Sequence, residues 1–121
     1  MNAPFEKLLF QPTRLALMAF LVSRRNGSAS FIEACSGIGV RRSGTLSAHA
    51  RVLEAAGHIA QRKSFVDRRP QTLLVITRKG REAFARHTAA LDAMAGAFRQ
   101  SSHEPDGASK AAADIGVDVA S

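Results

Sequence analysis

Large apolar residues recur every three or four positions over the first half of the chain, a spacing that predicts helices. Residues 5–10 form a short helix on this reading, with Phe5, Leu8 and Leu9 on one side. Pro12 suits the first turn of a second helix, where its missing N–H would have no partner anyway. Over residues 13–22, Leu15, Leu17, Met18, Phe20, Leu21 and Val22 make that helix apolar nearly all round, which predicts a place at the centre of the core. Asn26-Gly27-Ser28 supplies turn chemistry. Ser30 with Glu33 three residues later is a capping box, and it opens a short helix of Phe31, Ile32, Ala34 and Cys35. Residues 36–40 read as a tight connection holding Gly37 and Gly39. Helix resumes at Arg42 or Ser43 and runs to Ala56, with Leu46, Ala50 and Leu53 as its apolar face and Val52 beside it. Gly57 stands where a left-handed cap is wanted.

The period then changes. Residues 58–65 and 71–76 read as two strands, with Asp67-Arg68-Arg69-Pro70 as a basic turn between them. Leu73-Leu74-Val75-Ile76 is too continuously apolar for a fully exposed strand. Thr77 is an expected N-cap for a last helix from Arg78 to about Arg99, with Phe84, Leu91, Met94 and Phe98 along one side. The fold class is therefore mainly α with a small antiparallel β-hairpin, an α+β arrangement.

Composition narrows the function. At 121 residues and 45% apolar, the chain has the size of one small domain. A single cysteine, Cys35, excludes a disulfide framework and a cysteine-based zinc site; it reads as a small buried hydrophobe. No apolar run approaches a membrane span, and the first ten residues lack a signal-peptide layout, so a cytoplasmic, nucleoid-associated protein is expected, with no membrane partner. Net charge is +7, and it is unevenly placed. Residues 1–99 carry net +10, residues 41–81 alone carry +8, and residues 100–121 carry −3. That last stretch, rich in Ala, Ser, Gly and Asp, is expected to be a disordered acidic tail following a domain over 1–99. A domain so basic at its middle is expected to meet a polyanion.

Two short helices joined by a glycine-bearing turn and followed by a hairpin make the winged helix-turn-helix layout. Gly44-Thr45-Leu46-Ser47-Ala48-His49 with Val52-Leu53-Glu54-Ala55-Ala56-Gly57 resembles the recognition helix of the small bacterial winged-helix regulators of the MarR and ArsR kind. Arg68-Arg69-Pro70-Gln71-Thr72 resembles their wing, and Ile76-Thr77-Arg78-Lys79-Gly80-Arg81-Glu82-Ala83-Phe84 their strand-to-helix junction. Gln11-Pro12-Thr13-Arg14-Leu15 is similar to their opening helix, so the likeness covers residues 5–98 in one unbroken order. The sequence also departs from the pattern: the turn before the recognition helix is about one residue longer, Arg41 stands where a capping Ser or Thr is common, and Ala50 replaces a larger apolar residue.

The resemblance implies a sequence-specific transcriptional regulator that binds double-stranded DNA as a homodimer, with residues 42–56 in the major groove and the wing, 66–70, at the minor groove. A reading helix needs an apolar back and a front of small or polar groups. Arg41, Arg42, Ser43, Gly44, Thr45, Ser47, Ala48 and His49 are the expected front, and Arg62, Lys63, Arg68 and Arg69 the expected wing contacts. Phe5, Leu8 and Leu9 are expected to meet Phe84, Leu91, Met94 and Phe98 of a second copy. His58 reads as either structural or solvent-exposed, and His87 and His103 show no ligand spacing, so no metal site is expected. The isolated acids form no catalytic set, Gly37-Ile38-Gly39 lacks a preceding strand, and no cofactor is expected. A protein-interaction winged helix and a non-specific nucleic-acid binder are the alternatives. An effector ligand is left open.

Overall fold

The computed structural model describes residues 5–102. The chain divides into two compact units, at His87 and Thr88. The first begins with a single 3-10 turn, Lys7–Phe10, instead of an α-helix over 5–10. Then come α1 (Pro12–Ser23), β1 (Ser28–Ser30), α2 (Phe31–Ile38), α3 (Ser43–Ala55), β2 (Ile59–Val66), β3 (Arg69–Ile76) and the start of α4 (Arg78–Ser102).

Local chemistry accounts for most of the boundaries. The Gln11 side chain accepts from the Arg14 amide at 2.9 Å and caps α1, with Pro12 just inside. The Ser30–Glu33 capping box forms as expected: Ser30 Oγ accepts from the Glu33 amide at 3.0 Å, and the Glu33 carboxylate accepts from the Ser30 amide at 2.8 Å. That bond, with Arg24 nearby, holds the exposed Glu33 carboxyl below the usual range. Helix α2 runs on to Ile38, past the expected stop after Cys35. Gly37 lies within it because a Cβ there would collide with the Phe20 ring of α1. Gly39, at φ +74°, is the true stop. Thr77 caps α4 by accepting from the Gly80 amide at 2.9 Å.

The sheet has three strands in the order β1-β3-β2, all antiparallel. The short strand β1, which the sequence pattern gives as a turn, pairs Ser28, Ala29 and Ser30 with Val75, Leu74 and Leu73. This makes β3 the middle strand, which is why its apolar run is not left in water. The hairpin turn is two residues, Asp67 and Arg68, so Arg69 and Pro70 belong to β3 instead of to a four-residue loop. Pro70 is tolerated there because β1 covers β3 only from Leu73 to Val75.

The core of this unit gathers Leu17, Met18 and Leu21 of α1, Ala34 of α2, Leu46, Ala50 and Leu53 of α3, and Ile59, Leu74 and Ile76 of the sheet. Leu9 joins it at 0% exposure. The expectation that Leu9 would be offered to a second copy is corrected accordingly: its side chain is consumed inside its own chain. Phe84 also packs partly against this core. The Glu6 amide donates to His87 Nδ1 at 3.0 Å, and the Glu6 carboxylate lies 3.4 Å from His58 Nε2. Both histidines are buried, which decides the open reading of His58 for a structural side chain and against a solvent-exposed one.

The second unit contains the remainder of α4, where Leu91, Met94 and Phe98 follow one another at spacings of three and four and so share a side. Met94 is 45% exposed and Phe98 70%. The helix continues to Ser102, beyond the expected start of the tail at Gln100; the rest of that stretch, His103 included, lies outside the described residues. Among the described residues, no helix is long and apolar enough to cross a membrane.

Candidate nucleic-acid interface

Helix α3 has two unlike sides. Leu46, Ala50 and Leu53 are wholly buried and fix its back to the core. Opposite them, Gly44, Ala48 and Arg51 recur at spacings of four and three and are exposed, as are Arg41, Arg42, Ser43 and Thr45 around the first turn; Ser47 is half-buried. Arg42 is the N-cap residue, and its guanidinium, which has no acceptor to offer the helix N–H groups, makes no capping bond. A Cβ at Gly44 would meet nothing within 4 Å. Packing therefore does not require glycine there; what the missing side chain does is leave the backbone of the first turn open to close approach.

The hairpin stands beside this helix. Glu54 near the end of α3 accepts from the Gln61 amide at 3.3 Å and from its side-chain amide at 3.1 Å, which ties the base of β2 to the helix. Between helix and ribbon lies a cleft of about 610 Å³, lined by Ser43, Gly44, Ser47 and Arg51 on one wall and by Gln61, Lys63 and Thr72 on the other. Arg51 donates to Ser47 Oγ at 3.1 Å, and Lys63 to Thr72 Oγ1 at 3.2 Å, so each wall presents one cation steadied by a hydroxyl.

Arg51 and Lys63 are thus brought together across one cleft, and Arg51 is missing from the expected front. Its signal is present in the sequence: it stands seven residues after Gly44, on the stripe directly opposite Leu46, Ala50 and Leu53. The other wing cations are divided. In the β2–β3 register Arg62, Val66 and Arg69 share one face of the ribbon, and Lys63, Phe65, Pro70 and Thr72 share the other. Arg68 sits in the turn at φ +66°, with Asp67 at +51°. A two-residue turn with both residues left-handed matches the twist of the strands, and glycine is the usual second residue. Here an arginine takes that position despite its Cβ. Among the described residues, no ion pair engages Arg41, Arg42, Arg51, Arg62, Lys63, Arg68 or Arg69.

His49 occupies a different position from the one its sequence neighbours imply. It is half-buried on the flank of α3, and its Nδ1 lies 3.4 Å from the Arg14 guanidinium of α1. Arg14 is itself held by donating from Nε to the Leu8 carbonyl at 2.8 Å. Desolvation, and then the Arg14 charge, push the His49 pKa below its ordinary value. Burial raises the Cys35 thiol pKa, away from thiolate chemistry. Among the described residues, no group of three His, Cys, Asp or Glu side chains could hold a metal ion.

Comparison with known proteins gives a consistent result. A family described as "Winged helix DNA-binding domain" matches residues 13–95. A solved transcriptional regulator homologue from Pyrococcus horikoshii OT3 is 33% identical, with 77% of this chain and 89% of that one covered, at a TM-score of 0.70. The YusO protein from Bacillus subtilis is 25% identical, with 76% of this chain and 62% of that one covered, at a TM-score of 0.65. No curated protein matches the chain.

Proposed function

This chain belongs to the winged helix DNA-binding domain family, and from that premise we propose that it is a transcriptional regulator that recognises particular duplex sequences as a homodimer. The family binds DNA and is not a family of enzymes. In the proposed complex α3 enters the major groove with Arg41, Arg42, Ser43, Gly44, Thr45, Ser47, Ala48 and Arg51 toward the bases and flanking phosphates. Lys63 neutralises phosphate across the cleft from Arg51, and Arg68, with Arg62 and Arg69 behind it, enters the minor groove. His49 supports the helix from its flank and touches no base.

The observation that carries this reading is the opposition on α3: a back of three fully buried apolar residues against a front whose cations are engaged by no ion pair. A chain that spends no carboxylates on seven neighbouring cations keeps them for an external polyanion. Phosphate neutralisation then supplies most of the affinity, and the α3 front supplies the choice of sequence. For the homodimer, the support is the Leu91, Met94 and Phe98 side of α4, whose last two residues are well exposed. A second copy covering that side would place two reading helices on one duplex.

Selection of preferred sites from a random duplex pool, followed by affinity measurements over a salt series, tests this reading. A pair of half-sites about one helical turn apart and a steep salt dependence are expected. Recovery of no common sequence would overturn sequence-specific regulation, and a monomer mass for the protein–DNA complex in sedimentation would overturn the homodimer.

A further inference from the structure

The end of the hairpin carries an apolar side chain that no part of the core uses. Phe65 is 72% exposed, two residues before the turn, and its cross-strand partner is Pro70. It lies on the ribbon face that also bears Lys63, while Val66 is exposed on the opposite face. Lys63 shares its face, Arg68 stands in the turn and Arg69 on the opposite face, and the only acid in the turn is Asp67. A phenyl ring left largely in water forgoes the gain of burying its apolar surface. A ring of that kind, paired with a proline and flanked on its own face by Lys63, suits a narrow polyanionic groove whose deoxyribose walls are apolar.

We propose that Phe65 is an apolar wedge in the minor groove, pressing on the deoxyribose walls and the edge of one base step and partly unstacking it. The inference rests on the DNA-binding reading above and extends it to a position that no hydrogen bond reads. Unstacking is cheapest at pyrimidine–purine steps such as TA and expensive in stiff A-tracts. Phe65 is therefore a specificity-determining residue: it favours a deformable step under the wing. Arg68 and Arg69 bring the ring to the groove by charge.

The test uses the full chain, as wild type, Phe65→Ala, Phe65→Leu and Arg68→Ala. Each binds duplexes that carry the selected site with either a TA or an AA step beneath the wing, with 2-aminopurine at that step. Wild type is expected to prefer the TA duplex about tenfold and to raise the 2-aminopurine fluorescence on binding. Phe65→Ala loses the preference and the fluorescence rise and keeps the wild-type salt slope, because no charge has been removed. Phe65→Leu retains part of both signals. Arg68→Ala keeps the step preference while its salt slope falls by about 0.9. A Phe65→Ala protein that still prefers TA and still raises the fluorescence overturns the wedge. So does a uniform loss on both duplexes. If wild type binds no duplex at all, the DNA-binding reading itself falls, and the wedge with it. Thermal melting checks that Phe65→Ala is folded, which its exposure leads one to expect.

Discussion

Helix α3 and the tip of the hairpin both present cations, but they are held in opposite ways. The helix is regular, and its back is nailed to the core by Leu46, Ala50 and Leu53. The ribbon has buried side chains only at its base, at Ile59 on β2 and at Leu74 and Ile76 on β3. Beyond Gln61 the hairpin relies on strand pairing and on a turn that forces an arginine into left-handed backbone. A rigid helix suits reading base edges, where geometry decides. A ribbon without a core of its own can follow the local width of a groove, at the cost of some stability.

Four changes test this contrast, with Phe65→Ala set beside the largest of them as its control. Leu53→Ala removes a fully buried side chain and should cost about 2–5 kcal/mol in denaturant unfolding. Phe65→Ala at the tip should cost almost nothing by the same measurement, and a large loss there would mean the ribbon is not independent of the core. Arg51→Ala should weaken the preferred site by about 1–3 kcal/mol in a binding titration, with unrelated duplexes affected much less. Arg68→Gly should separate stability from affinity: relief of the left-handed arginine raises stability by about 1 kcal/mol in thermal melts, while the salt slope of binding falls.

Apart from that control, the smallest expected effect is that of pH. Burial lowers the His58 pKa, opposed in part by the Glu6 carboxylate and reinforced by Lys79 and Arg86. The unfolded ring therefore takes up a proton at higher pH than the folded one. Its contribution to stability is complete above the ordinary value of about 6.5 and is lost as the pH falls from there toward the lowered folded value. Melting at pH 7.5 should exceed melting at pH 5.5, and His58→Gln should flatten that difference.

The parts of the fold that obey local rules are legible in the sequence. Ser30 with Glu33 and Thr77 with Gly80 announce helix starts by their own hydrogen bonds. The stripe Leu46, Ala50, Leu53 announces which side of α3 is buried. What escapes is set by partners distant in the chain. Ser28-Ala29-Ser30 has no strand pattern and becomes a strand only because β3 is there to pair with it. Gly37 looks like a helix end until Phe20 of α1 is laid against it. Leu9 looks available to another molecule until α1 closes over it. On the candidate interface, the glycine, hydroxyls and arginines around residue 44 stand out by composition. Arg51 is legible from the helical stripe it shares with Gly44 and Ala48, whereas Thr72 is recognisable only once helix and ribbon form the two walls of one cleft.

The bond between the Glu6 amide and His87 joins points 81 residues apart. Closing a loop of that span costs more entropy than one hydrogen bond returns, so the tie holds only together with the packing around it. Its release frees the turn that buries Leu9, and with it the Leu8 carbonyl that steadies Arg14 against His49. Fraying that starts at the first turn is expected to reach the flank of α3 before it reaches the sheet. Amide hydrogens of Leu8 and Leu9 should accordingly exchange with solvent well ahead of those in the middle of α1 and in β3.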